Sequence, residues 1–140
     1  MIQRHQLIKE STVQVFINGQ PSGTGFIISE DGLIGTCYHV VQYAQPAANG
    51  QTQITYASNI EVVLHDKKRF RADVHSSCQN SNFVNSVSKD FCILQISCNN
   101  LKSFPIGNFG DATEGSNIYL CGYPLGINQP VVSKGMLSTK

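Results

Sequence analysis

The chain of 140 residues lacks any apolar run approaching the ~20 residues of a membrane-spanning helix. Its first ten residues also lack the apolar segment of a secretory signal peptide. Neither sign of charge is in excess, because 10 Lys and Arg residues balance 9 Asp and Glu residues for a net charge of +1. We therefore expect neither nucleic acid nor a membrane as a partner. The localisation is open, with the cytoplasm slightly favoured.

The cysteines show no repeated spacing. They are five in number, at positions 37, 78, 92, 98 and 121, and no Cys-x-x-Cys occurs. An odd, scattered set argues against a disulfide framework and against a structural zinc site. A metal-binding pair of Cys37 and His39 is conceivable, but an apolar strand cysteine at position 37 ranks well above it. We expect no metal site and no cofactor.

Helical periodicity is absent as well, since no segment sustains a period of 3.6 over three turns. Short segments rich in β-branched residues alternate instead with turn signals, which favours an all-β sandwich or barrel. The predicted strands cover residues 11–17, 24–29, 32–36, 53–56, 61–65, 70–75, 91–96, 117–122 and 131–138. Residues 40–44 predict one helical turn before a loop at 45–51. Residues 76–89 predict a polar loop, and 101–113 a connector.

A hairpin leads to the first candidate site residue. Asp31-Gly32 between two apolar runs predicts a tight primed turn, because Gly tolerates a positive φ. The second strand ends at Thr36, shortly before His39. A histidine at the end of a strand is held by the sheet yet open to a cleft, which suits a general base. The alternative is an ordinary core or loop histidine with one hydrogen bond.

Asp90 is the second candidate, at the junction between the polar loop and a strongly apolar strand. A histidine base needs a carboxylate on its Nδ1–H to fix the tautomer and stabilise the imidazolium. The competing carboxylates lie in turns or in a basic hairpin: Asp31, Asp66, Asp73 and Asp111. Asp90 is therefore the predicted partner of His39.

A nucleophile is not found among the motifs. The sequence contains no Gly-x-Ser-x-Gly elbow and no Gly-x-Ser-Gly-Gly or Gly-x-Cys-Gly-Gly segment. Ser22 lies in a Pro-Ser-Gly-Thr-Gly run that is only superficially similar to a catalytic glycine loop. Cys37 would share a strand face with His39, but Cys–His dyads normally come from distant segments.

Four ordered motifs across residues 11–138 resemble trypsin-like proteases of the chymotrypsin fold, most closely the HtrA/Deg-type branch. The first is Gly23-Thr-Gly-Phe-Ile-Ile followed by Gly-Leu-Ile-Gly-Thr-Cys-Tyr-His39-Val-Val, which is similar to the segment of the histidine base. Asp90-Phe-Cys-Ile-Leu-Gln-Ile resembles the segment of the triad aspartate. Gly110-Asp with Gly-Tyr-Pro-Leu-Gly, and Val131-Val-Ser-Lys-Gly-Met-Leu-Ser, resemble the opening of the family's second barrel.

The resemblance implies a chymotrypsin-like six-stranded antiparallel barrel over residues 1–104. A connector and the first two strands of an incomplete second barrel would follow over 105–140. It also implies that His39 is the base and Asp90 its orienting residue. In the family the nucleophilic serine lies further along the second barrel, beyond these motifs. Viral cysteine proteases share the architecture, so a cysteine nucleophile stays open, although Gly-Tyr-Pro-Leu-Gly favours serine.

Together, these expectations predict that the chain is the N-terminal part of a serine endopeptidase that acts on polypeptides. The 140-residue chain by itself is expected to be inactive, because a base and its orienting acid form no acyl-enzyme without a nucleophile. Two alternatives stay open: a non-catalytic pseudoprotease that uses the barrel for binding, and an unrelated β-barrel binding module. Bare edges on the last two strands further predict self-association through that hairpin.

Overall fold

The computed structural model describes residues 2–46, 48–78, 90–124 and 127–138, and strands predominate in it. Two helices and ten strands are described: α1 Ile2–Glu10, β1 Thr12–Ile17, β2 Gln20–Ile27, β3 Leu33–Thr36, α2 Tyr38–Val41, β4 Gln42–Pro46, β5 Thr52–Tyr56, β6 Ile60–Val63, β7 Arg69–Val74, β8 Cys92–Ile96, β9 Asn117–Gly122 and β10 Val131–Met136. Short 3-10 turns cover Ser76–Cys78 and Phe109–Asp111.

Six of the strands form a closed antiparallel barrel in the order β1-β2-β3-β8-β7-β6. Strand β8 closes the barrel between β3 and β7, with Ile34 opposite Leu94 and Val74 opposite Leu94 on its other side. Closure leaves these strands without free edges, which is how small β domains avoid edge-to-edge association. The all-β prediction with a six-stranded antiparallel barrel is confirmed.

The core lies inside the barrel and follows the two-residue alternation of the strands. In β8, Cys92, Leu94 and Ile96 are buried, whereas Ile93 and Gln95 between them are half-buried. The most completely buried apolar side chains are Val13, Val15, Ile27, Ile34, Val41, Val62, Cys92, Leu94 and Ile96. Complete burial of a Val, Leu or Ile side chain stabilises the folded state by about 1.5–3 kcal/mol. The barrel therefore contains the main stabilising core among the described residues.

Two further pairs of strands lie outside the barrel, β4 with β5 and β9 with β10. The β9–β10 hairpin is regular, from Asn117 opposite Met136 to Gly122 opposite Val131. It is joined to the barrel by the Tyr123 N–H, which donates to Thr24 Oγ1 at 2.8 Å. The connector before it has no strand, as predicted, and its start is attached where the Phe104 N–H donates to the Ile27 carbonyl at 3.2 Å.

The β2–β3 hairpin forms where predicted, but its turn is longer than a two-residue primed turn. The Ile28 N–H donates to the Leu33 carbonyl at 2.8 Å, which encloses four residues, and of Asp31 and Gly32 only Gly32 has a positive φ, of +110°. A Cβ on Gly32 would lie 2.1 Å from the Ile96 carbonyl oxygen. The glycine is therefore required by close approach to β8 as well as by its φ.

Helix α1 is a feature that the sequence reading missed. It is nine residues long, shorter than three turns, and such a helix is marginal in isolation. Tertiary contacts hold it: Ile8 is buried, Thr12 Oγ1 donates to the Ile8 carbonyl at 2.6 Å, and Lys102 Nζ donates to Glu10 Oε2 at 2.9 Å. The contact with Lys102 comes from a residue 92 positions away from Glu10, so periodicity could not reveal it.

The segment after His39 also differs from the prediction. The helical turn expected at 40–44 lies instead at Tyr38–Val41, and the following residues pair in β4 as far as Pro46 rather than forming a loop from residue 45. Cross-strand pairing with β5 fixes this segment in an extended conformation. Of the polar loop predicted at 76–89, residues 79–89 lie outside the described residues.

Candidate catalytic site

Helix α2 places His39 at the end of the barrel, immediately after β3. The helix begins after Cys37, whose carbonyl accepts from the Val40 N–H at 3.1 Å. Ser22 Oγ donates to the Val40 carbonyl at 2.5 Å and ties the single helical turn to β2. His39 therefore lies on a short helix with Val40 and Val41 buried beneath it, rather than on the end of a strand as predicted.

Gly23 allows this helix to lie close to the barrel. A Cβ at position 23 would come within 2.7 Å of Val40 Cγ2 and 3.1 Å of Val40 Cγ1. Valine is stiff about χ1, so its side chain has little freedom to move aside. The sequence reading used Gly23 only as part of a motif, and the missing side chain is a physical requirement of the position of α2.

Asp90 and His39 meet across 51 positions of sequence, as the sequence reading predicted. His39 Nδ1 lies 2.5 Å from Asp90 Oδ2, and the His39 backbone N–H donates to Asp90 Oδ1 at 3.0 Å. The carboxylate therefore fixes both the ring and the backbone of the histidine. Both side chains are accessible, with 69% of His39 and 48% of Asp90 exposed, so the site is open to an incoming group.

These hydrogen bonds change the titration of the carboxylate. The hydrogen bond from the His39 side chain, followed by the one from the His39 backbone N–H, lowers the pKa of Asp90 below its ordinary value. Hydrogen bonds to the charged form stabilise it. Asp90 is therefore an anion at neutral pH, and its charge can accept a hydrogen bond from Nδ1–H and stabilise a positively charged ring.

Cys37 is not the apolar strand cysteine that the sequence reading favoured. It lies directly before α2, beyond the end of β3, with an extended φ of −93° and ψ of 148°, and its thiol is free and exposed. One atom each of Cys37, His39 and Asp90 lies within 4.8 Å of the other two. Partial desolvation of the thiol by neighbouring atoms, with a further effect of the Asp90 charge, raises the pKa of Cys37. A thiol with a raised pKa is a poor nucleophile.

The other candidates are accounted for locally. Ser22, the serine of the glycine-rich run, directs its hydroxyl to the carbonyl of Val40. Among the competing carboxylates, Asp31 accepts a hydrogen bond from Ser29, and Asp66 lies 3.8 Å from Lys68 Nζ. Of the residues weighed from sequence, the structure brings together Cys37, His39 and Asp90 alone.

Residues 23–140 match the family of trypsin-like peptidase domains, and this region includes the hairpin, α2, Asp90 and the β9–β10 hairpin. The chain belongs to the trypsin-like peptidase family. The match covers more than half of the chain, and it agrees with the closed six-stranded barrel that carries the His39–Asp90 pair.

This trypsin-like peptidase chain is similar to serine proteases of the HtrA/DegP type. It is 30% identical over 118 residues to a probable periplasmic serine endoprotease DegP-like of Chlamydia muridarum. The aligned region covers 84% of the chain and 19% of that relative. It is 32% identical over 120 residues to human serine protease HTRA4, which covers 85% of the chain and 21% of that protein. The chain thus spans about a fifth of the length of these relatives.

Solved structures agree with the fold of the peptidase chain. The HtrA-type protease AlgW with tripeptide superimposes with a TM-score of 0.69 at 22% identity, covering 94% of the chain and 37% of that protein. At this identity the similarity establishes the chymotrypsin-like fold only. No helix among the described residues has the length and apolar character needed to cross a bilayer.

Proposed function

We propose that this chain supplies the general base and the orienting carboxylate of a serine endopeptidase whose nucleophile lies outside these 140 residues. The observation that supports it is the double contact between Asp90 and His39, in a chain of the trypsin-like peptidase family. A merely structural histidine needs one hydrogen-bond partner. Here the carboxylate instead fixes the ring orientation of an exposed histidine, which leaves its far nitrogen available.

The proton transfers follow from the tautomer that Asp90 selects. With Nδ1–H donated to Asp90, the lone pair of His39 Nε2 is free to accept the hydroxyl proton of a serine as its oxygen attacks a peptide carbonyl. The imidazolium so formed is stabilised by the Asp90 carboxylate. His39 then donates that proton to the leaving amine when the C–N bond breaks, and water completes hydrolysis of the acyl-enzyme by the same route.

The substrate in this proposal is a polypeptide, consistent with the endoprotease activity in the name of the Chlamydia muridarum relative. We propose a division of the chain at residues 104 and 105, with the barrel on one side and the connector and β9–β10 on the other. The six barrel strands all lie between Thr12 and Ile96, in support of this boundary. We further propose that the 140-residue chain by itself has no peptidase activity.

Labelling with a fluorophosphonate, which reacts with an activated serine, tests the proposal. The protein expressed from its complete coding sequence should be labelled on one serine beyond Lys140, whereas residues 1–140 alone should not be labelled. In the complete protein His39→Ala should abolish labelling. Asp90→Asn should slow the reaction by a factor on the order of 10⁴, because the wrong histidine tautomer is then favoured.

His65→Gln is the matched control, since His65 lies 3.9 Å from Glu10 and outside the site. It should be labelled at the rate of the unsubstituted protein. Equal labelling of the His39→Ala protein would contradict the role of His39 as base. A complete protein that folds but is never labelled would support the pseudoprotease alternative instead, and labelling of residues 1–140 would reveal a nucleophile within them.

A further inference from the structure

Three side chains of different ligand chemistry meet beside α2. Cys37 offers a thiol, His39 an imidazole and Asp90 a carboxylate, and one ligand atom of each lies within 4.8 Å of the other two. The histidine–aspartate pair belongs to the proposed proteolytic site. The cysteine does not, because neither the base nor its orienting carboxylate needs a thiol beside it. The presence of Cys37 in this group is the observation that the proposed function leaves unexplained.

The backbone holds the three groups in place from two directions. Cys37 and His39 are separated by one residue at the start of a one-turn helix, and the Cys37 carbonyl closes that turn by accepting from the Val40 N–H at 3.1 Å. Asp90 lies two residues before β8, the strand paired with β3, and is anchored through Oδ1 by the His39 backbone N–H at 3.0 Å. Oδ2 can therefore change partner while the carboxylate keeps its position.

Thiolate, imidazole and carboxylate together are a ligand set typical of zinc. We propose that Cys37, His39 and Asp90 form a binding site for a divalent, thiol-preferring cation such as Zn²⁺, with the fourth coordination position left to water. The exposed His39 and Asp90 side chains leave an open path for the ion. The expectation that this chain has no metal site rested on the odd, scattered set of cysteines and on an apolar strand position for Cys37, and that strand position is wrong.

The required rearrangement is small. Zinc binds sulfur at about 2.3 Å and nitrogen or oxygen at about 2.0–2.2 Å, so neighbouring ligand atoms in a tetrahedral site lie about 3.3–3.8 Å apart. Atoms within 4.8 Å of one another need to approach by about 1.5 Å at most. If the ion takes Nδ1, the 2.5 Å contact between His39 Nδ1 and Asp90 Oδ2 must open to a similar distance. Side-chain rotation at an exposed site suffices for both changes.

Metal binding would also prevent His39 from acting as a general base. This consequence rests on the proposed function, whereas the metal binding itself does not. An ion on Nε2 occupies the lone pair that accepts the serine proton. An ion on Nδ1 forces the remaining ring proton onto Nε2, which removes the same lone pair. Either mode leaves His39 unable to act as a general base, so the site would couple proteolysis to the concentration of free zinc.

Zinc and cobalt titrations of the reduced 140-residue chain test the site without any need for peptidase activity. Competition with a chromophoric zinc chelator should give one Zn²⁺ per chain with a micromolar or tighter dissociation constant. Co²⁺ should produce the near-ultraviolet charge-transfer band of a thiolate–cobalt bond. Cys37→Ser should remove that band and weaken Zn²⁺ binding roughly tenfold or more, as loss of a ligand is at least as costly as loss of its supporting partner.

Cys98→Ser and His65→Gln are matched controls, because both residues line a groove that includes none of Cys37, His39 and Asp90. Both variants should bind Zn²⁺ as the unsubstituted chain does and retain the cobalt band. No Zn²⁺ binding, or binding and a cobalt band that survive in Cys37→Ser, would overturn the proposal. Zinc binding together with a complete protein that no fluorophosphonate labels would leave the metal site standing and reject the proposed function alone.

Discussion

Asp90 contacts His39 at two points, through Oδ2 to the ring at 2.5 Å and through Oδ1 to the backbone N–H at 3.0 Å. The second contact matters as much as the first, because it anchors the carboxylate to the backbone beside the ring. A pair held in this way has a fixed orientation although both side chains are largely exposed. The geometry of the site therefore comes from the hydrogen bonds between these two residues and not from burial of their side chains.

The lowered pKa of Asp90 predicts a pH dependence of stability. Because the folded-state pKa lies below the unfolded value of about 3.9, the stabilisation is complete above that value and is lost as the pH falls through the folded pKa. The pair is exposed, so its contribution should be at most about 1 kcal/mol. In urea denaturation, the free energies of unfolding of the unsubstituted chain and Asp90→Asn should differ at about pH 6, well above the aspartate range. That difference should become smaller as the pH falls below about 3.9, the unfolded pKa of aspartate.

Asp73→Asn is the control for that experiment, since Asp73 lies exposed on β7 away from His39. It should retain the pH dependence of the unsubstituted chain. A difference between the unsubstituted chain and Asp90→Asn that persists unchanged at low pH would show that the ionised carboxylate is not its source.

Gly23→Ala should destabilise the chain because a methyl group at position 23 overlaps Val40 in α2. Overpacking of this kind costs about 1–3 kcal/mol. The displaced α2 should also disturb the His39–Asp90 contact, visible as a shift of the His39 ring resonances in NMR spectra. Gly107→Ala is the control: no atom lies within 4 Å of the added carbon, so it should be neutral or slightly stabilising. Equal stability of the two variants would contradict the close approach of α2.

Tyr123→Phe should leave the free energy of unfolding unchanged or raise it by about 0.5–1 kcal/mol. The Tyr123 hydroxyl is buried and has no hydrogen-bond partner among the described residues, and burial raises its pKa. Removing it therefore removes a desolvated polar group and no hydrogen bond. Tyr38→Phe is the contrasting variant, because the Tyr38 hydroxyl donates to the Cys78 carbonyl at 3.1 Å. It should lose about 0.5–1.5 kcal/mol in the same denaturation experiment.

The β9–β10 hairpin should mediate self-association of the 140-residue chain. Ile118, Leu120 and Val131 share one face of the hairpin and are 37%, 63% and 41% exposed. Light scattering should therefore give a mass that rises with concentration, and Leu120→Lys should return it toward the monomer. Gln51→Lys adds the same charge on the exposed β4–β5 loop and should not change the association. A monomer at every concentration would count against this role of the hairpin.

Local pattern was sufficient for most of the barrel strands, for the β2–β3 hairpin and for the pairing of His39 with Asp90. Their signals are short-range: β-branched runs, Gly and Asp in turns, and an aspartate before the apolar β8. Helix α1 and strand β4 were missed because their conformations depend on distant partners. Lys102 holds α1 and β5 holds β4, and neither partner is visible in a window of neighbouring residues.

The sequence by itself determined the all-β class, most of the barrel strands, and the proposed base with its orienting carboxylate, since alternation and turn chemistry are encoded within a few neighbouring positions. Only the tertiary structure decided where Cys37 lies. A continuous strand would have placed Cys37 on the same face of the sheet as His39. In the structure Cys37 instead lies directly before the helical turn α2, where its thiol lies close to the His39 imidazole and the Asp90 carboxylate. That meeting depends on closure of the barrel, which no local segment encodes.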